Sequence, residues 1–170
     1  KRWNSPQENV FTDYREMIDK RSLDAVSITT PHRLHAEPTI YALKHGVNVL
    51  VEKPMASTAS EALEMYRAAV SSGKVLEVGF QNRFEAQIIA AKRIVSSGLL
   101  GEFYYGETLA DGRRRRGIPT TPTFYTKEMA GGGVLLDLGC YAIDNAMNIL
   151  GFPEVERISG HVFTGIGRSK

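Results

Sequence analysis

Lys53 lies between Glu52 and Pro54, directly after the apolar run Val47-Asn48-Val49-Leu50-Val51. The run reads as a buried strand. Pro54 forces an abrupt exit from it, because proline fixes φ and cannot donate to a sheet ladder. An ammonium group is therefore held where a strand ends. From there it can hydrogen-bond a substrate oxygen and share in moving its proton. Far along the chain, Asp137 and Tyr141 stand four residues apart after Gly131-Gly132-Gly133. On a helix they are neighbours on one face, in its first two turns. Three glycines let the backbone approach a ligand closely. A phenol beside a carboxylate, near a lysine, can relay a proton to or from a hydroxyl. The lysine charge would favour the phenolate and lower the phenol's pKa. On spacing alone a structural reading stays open and is the commoner outcome: Asp137 as electrostatic support for a helix start, Tyr141 as a half-buried packing residue.

Two further segments end strands with polar residues. Thr29-Thr30-Pro31-His32 precedes a helix that His32 and His35 open. A helix start favours phosphate or ribose oxygens. The alternative is a plain strand-to-helix turn with solvated histidines. The two histidines have no matching carboxylate or cysteine set, so no metal site is expected. Gly79-Phe80-Gln81-Asn82-Arg83-Phe84 could line the same crevice or simply join two domains. The run Arg113 to Arg116 has no interleaved aromatics, so a solvated loop is expected rather than a nucleic-acid surface. Cys140 has no evident base partner.

These residues need a scaffold, and the pattern around them alternates strands with helices. Helices are expected over Asp13 to Lys20, Leu34 to His45, Thr58 to Ser72 and Glu85 to Ser97. Strands are expected over Asp24 to Thr29, Val47 to Val51 and Val75 to Phe80. Thr58 with Glu61 three residues on is a capping box, and Gly46 and Gly73 are helix stops. Such repeats imply an α/β fold, a parallel sheet with right-handed crossovers. After Gly101 the pattern changes. Glu102 to Ala110 and Val155 to Phe163 read as strands, and Val134 to Leu150 as a helix. A domain change is placed near residues 80–84.

Composition suits a globular chain: 170 residues, 42% hydrophobic, 24% charged, net charge +2. That balance gives no reason to expect a polyanionic partner. A single cysteine rules out an internal disulfide and suits a reducing, cytoplasmic setting. No apolar run is long enough to span a bilayer. The chain opens Lys1-Arg2-Trp3-Asn4 without Met, which fits either processing or a piece of a longer polypeptide.

Taken in order, Thr30-Pro31-His32-Arg33-Leu34-His35, Glu52-Lys53-Pro54-Met55-Ala56, Gly79 to Phe84, Ser97 to Glu102 and Gly131 to Gly139 resemble the Gfo/Idh/MocA family of NAD(P)-dependent oxidoreductases. The resemblance implies a partial Rossmann domain, a doubly wound parallel sheet, over 1–82. It implies part of an α+β substrate and oligomerisation domain with a mainly antiparallel sheet over 83–170. It implies NAD or NADP as cofactor, a sugar or cyclitol as substrate, hydride transfer at a hydroxyl or carbonyl, and homo-oligomers of the full-length protein. Lys53 matches the family's active-site lysine and Asp137 its helix aspartate. Tyr141 stands where many members carry histidine, so a phenol would serve as the acid/base. Thr30, Pro31, His32, His35, Glu52, Lys53 and Gln81 are the expected cofactor contacts. Arg83, Arg116, Asp137 and Tyr141 are the expected substrate contacts. No G-x-G-x-x-G turn lies upstream of Asp24, so the chain is expected to be the middle of a longer protein and to bind dinucleotide poorly by itself. The resemblance also leaves open a redox-neutral glycosidase that uses bound NAD, or a non-catalytic regulator. A regulator tends to lose the acid/base set, which this chain retains.

Overall fold

The computed structural model describes residues 6–110 and 131–162. Its centre is a three-stranded parallel sheet in the order β1-β2-β3, with β1 at Ala25–Ile28, β2 at Asn48–Glu52 and β3 at Leu76–Gly79. Helix α1 (Tyr14–Lys20) precedes the sheet, while α2 (Ala36–Lys44) and α3 (Ala59–Ser72) form the two crossovers. Helices α1 and α3 begin at side-chain caps. The Asp13 side chain accepts from the Arg15 backbone N–H at 2.8 Å. Thr58 and Glu61 satisfy each other's backbone N–H groups, a complete capping box. Gly73 stops α3 with φ of 64°, a left-handed position that glycine takes without steric cost.

The core lies between the sheet and the crossover helices. Val49 and Val51 of β2 point into it, with Leu43 from α2 and Met65 from α3, all essentially buried. Each such side chain contributes roughly 1.5–3 kcal/mol of burial free energy. The opposite face is different: Leu50, between those two valines, is 47% exposed. A parallel sheet is normally covered on both faces. Among the described residues this one is covered on one side only, so the doubly wound expectation is met by its parallel strands and not by a second helical layer.

Register decides what the sheet can position. Ile28 pairs with Val51, and Glu52 with Gly79. The three strands therefore end at one edge, and Thr29-Thr30, Lys53 and Phe80-Gln81 leave the sheet side by side.

Beyond β3 a 3-10 turn at Gln81–Phe84 leads into α4 (Ala86–Ser96). A π-helical turn at Leu135–Gly139 runs directly into α5 (Cys140–Ile149), which packs on α4. Two expectations fail here. Residues 102–110 and 155–162 form no strand. Alternation alone cannot hold a strand; it needs a ladder partner, and no described residue supplies one. Tyr104 and Ile158 are accordingly 99% and 87% exposed. The helix expected from Leu34 also starts differently, with a 3-10 turn at His32–Leu34 before α2. Among the described residues no helix is long and apolar enough to cross a membrane.

Candidate active site

β2 delivers Lys53 to the sheet edge, and the Lys53–Pro54 peptide that follows is cis. Lys53 Nζ donates to the Asp137 carboxylate at 2.8 Å and to the Asp137 backbone carbonyl at 2.6 Å. Both acceptors belong to the residue in the middle of the π-helical turn, a widened geometry frequent at functional sites. The lysine side chain is 13% exposed and the aspartate 34%. Screening by water is thus much weaker than for a surface pair. Eighty-four residues of chain separate the two partners.

Tyr141 completes the cluster. Lys53 Nζ lies 5.0 Å from its ring centroid, within cation–π range. Gln81 Nε2 donates to the phenolic oxygen at 2.7 Å, and Phe80 meets the ring edge-on at 6.2 Å. The expected lowering of the phenol's pKa is not the net result. Burial pushes Tyr141 up, and this outweighs the Gln81 hydrogen bond and the Lys53 charge, which both pull it down. Desolvation penalises the phenolate more than one hydrogen bond and one nearby ammonium favour it.

The triple glycine acts on the protein itself. A Cβ at Gly132 would come within 2.5 Å of Leu136 Cγ, and one at Gly131 within 3.3 Å of Leu136 Cδ1. Glycine at these positions thus leaves room for Leu136 to fold back over the start of its own segment, one residue before Asp137.

Beside the cluster is a cleft of about 370 Å3 lined by Thr29, Thr30, Pro31, His32, Glu52, Lys53 and Asp137. It opens at the carboxyl ends of β1 and β2, the usual place for a ligand in an open α/β sheet. Its mostly apolar walls, with the Glu52, Lys53 and Asp137 side chains among them, and its position fit the reactive end of a dinucleotide. Thr30, Pro31, His32, Glu52 and Lys53 therefore share one cleft with Asp137, and Gln81 joins them through Tyr141. The remaining expected contacts lie elsewhere. His35 is fully buried behind the cleft, and His32 is 8% exposed, so the solvated-histidine alternative does not hold for either. Arg83 turns its guanidinium onto Asp144, with Nε–Oδ2 at 2.8 Å and Nη2–Oδ1 at 2.5 Å. Asp144 holds the Arg83 guanidinium above its ordinary pKa. Arg116 lies outside the described residues. Among those residues no group of histidine, cysteine and acidic side chains could hold a metal.

Asp144 is the participant that sequence reasoning missed. It sits three residues after Tyr141 and is buried on α5. A charged residue between Ile143 and the apolar Ala146 and Met147 was the available signal.

A parallel strand-and-helix scaffold with a ligand cleft at its strand ends, joined to a lysine, an aspartate and a phenol, defines a dinucleotide-binding oxidoreductase type. Residues 2–80 match the model of the oxidoreductase family with an NAD-binding Rossmann fold, and residues 88–168 match the GFO/IDH/MocA C-terminal domain. The chain belongs to the Gfo/Idh/MocA family. It is 40% identical over 162 residues to D-glucoside 3-dehydrogenase of Escherichia coli K12, covering 95% of this chain and 46% of that protein. It is 30% identical to an NADP(+) scyllo-inositol 2-dehydrogenase of Bacillus subtilis 168, covering 88% of this chain and 41% of that one. A structure of levoglucosan dehydrogenase in complex with NADH and levoglucosan aligns with a TM-score of 0.70 at 33% identity, covering 83% of this chain and 38% of that chain. The chain thus spans less than half the length of these relatives.

Proposed function

We propose that the whole protein is an NAD(P)-dependent oxidoreductase that interconverts a hydroxyl and a carbonyl on a sugar or cyclitol. The observation that carries this reading is the Lys53–Asp137–Tyr141 cluster at the strand-end cleft. The names of the relatives supply the substrate class. When bound, the dinucleotide supplies the two-electron donor or acceptor for the carbinol carbon. The chain's own residues handle the proton and the positioning. Lys53 donates a hydrogen bond to the substrate oxygen, with Asp137 holding the ammonium in place. The Tyr141 hydroxyl gives a proton to that oxygen, or takes it in the reverse direction. A phenol raised by burial keeps its proton at neutral pH, which suits donation to the oxygen in the reducing direction. Gln81 fixes where the phenol points. Thr30, Pro31, His32 and Glu52 would hold the reactive end of the cofactor.

The test uses the full-length protein with NAD and NADP against a panel of sugars and cyclitols, followed by absorbance of the reduced nicotinamide. Lys53→Ala is expected to cut turnover by about a hundredfold or more, with cofactor binding largely kept. Unchanged turnover would remove Lys53 from the mechanism. Oxidation or reduction of none of the panel would remove the substrate class.

A further inference from the structure

His35 is the least exposed polar residue near the site, with no surface open to solvent. Its two ring nitrogens face two different strand-end turns. Nδ1 lies 2.8 Å from the backbone carbonyl of Pro54, which follows Lys53. Nε2 lies 2.8 Å from the backbone carbonyl of Thr30, which follows β1. A carbonyl can only accept, so the ring bonds both turns at once as an imidazolium, and one of the two at a time as a neutral imidazole with a single N–H. Both turns border the cleft, and the ring spans them from behind. No ring nitrogen remains to reach a ligand.

We propose that His35 is a positioning residue: it buckles the turn after β1 to the Lys53–Pro54 corner and so fixes where the Lys53 ammonium stands. This replaces the expectation that His35 touches the cofactor. The inference rests on the reading of Lys53 as a catalytic residue. Its physical basis is that both bonded atoms are main chain. The buckle therefore sets the backbone from which Lys53 departs, rather than the side chain itself. A small displacement of a positioned group is enough to lower a rate a hundredfold.

The experiment compares His35→Leu, His35→Gln and Lys53→Ala in the full-length protein. Steady-state kinetics, cofactor titration and hydrogen exchange of the peptide spanning Lys53 to Ser57 are the three readouts. Removing both contacts in His35→Leu is expected to lower kcat about tenfold to a hundredfold at saturating substrate and cofactor, with the cofactor Kd within about threefold of wild type. His35→Gln retains an amide donor for one carbonyl and is expected to recover part of kcat. In both variants the Lys53–Ser57 peptide should exchange several-fold faster. A loss confined to cofactor affinity, with kcat kept, would overturn the buckle in favour of a cofactor contact. Unchanged exchange in His35→Gln would overturn it as well, and this readout stands even where His35→Leu does not fold. Should Lys53→Ala retain turnover, the reading of the site falls. The exchange measurement then still decides whether the buckle exists.

Discussion

Tyr141 receives opposing influences, and their balance sets what it can do. Burial raises its pKa, while the Gln81 hydrogen bond and the Lys53 charge lower it. The net direction is up from an ordinary value of 10.0. Titration of ring-labelled tyrosine, assigned by loss of the signal in Tyr141→Phe, should therefore place its midpoint above that value. Gln81→Leu removes a donor that favours the phenolate, so the midpoint should move further up. A midpoint unchanged or lowered by Gln81→Leu would mean that Gln81 does not face the phenol in solution. Lys53, Asp137 and Tyr141 stand out in the sequence because each lies near a local punctuation mark, Lys53 just before a proline corner and the other two after a glycine run. The sign of the phenol shift was not legible, because burial depends on Phe80 and neighbours that spacing does not reveal. His35 was legible as a residue near a strand end, but its two carbonyl partners are contacts five and nineteen residues away. No periodicity encodes them.

At the scale of elements, α5 is held by charges and amides as well as by its apolar stripe. Asp144 and Asn148, one turn apart and both buried, receive Arg83 from the 3-10 turn and Lys92 from α4. The Arg83 guanidinium also lies over the rings of Phe80 and Phe152, each at 5.4 Å. One buried carboxylate thereby ties the end of β3 to the helix that carries Tyr141. Asp144→Ala leaves a partly buried guanidinium without its acceptor and should cost roughly 2 kcal/mol in urea unfolding. Arg83→Met combined with Asp144→Ala should cost less than the sum of the two changes, a coupling that a double-mutant cycle reads directly. Additive costs would show that the pair does not hold α5. The α3 start offers a simpler case. Its capping box is written in Thr58 and Glu61 and forms as written, so Thr58→Ala should cost about 1 kcal/mol in the same measurement. The contrast is physical. A cap is a contact three residues long and can be read locally. The expected strand at residues 102–110 needed a distant ladder partner, which local alternation cannot promise.

At the scale of the molecule, the sheet brings three strand ends to one edge, yet it is finished on one face only. Leu50 is half exposed, β1 has a neighbour on one side only among the described residues, and Phe103, Tyr104 and Tyr105 are exposed elsewhere on the chain. Open strand edges and exposed aromatic surface favour association with another chain. The 170-residue chain by itself should accordingly sediment as a concentration-dependent mixture of species. The cofactor makes the same incompleteness measurable. The cleft residues Thr30, Pro31, His32, Glu52 and Lys53 suit the reactive end of a dinucleotide. Much of the affinity of such a ligand comes from its pyrophosphate, held by a glycine-rich turn and a helix start. The sequence contains no G-x-G-x-x-G upstream of β1. Calorimetric titration of the 170-residue chain with NAD or NADP should therefore show binding no tighter than about millimolar, roughly 4 kcal/mol of free energy. Affinity a thousandfold tighter, about another 4 kcal/mol, would require a pyrophosphate site built from residues in this chain. Loss of that affinity on Glu52→Ala would then locate it at the cleft, and its persistence would direct the search to another part of the fold.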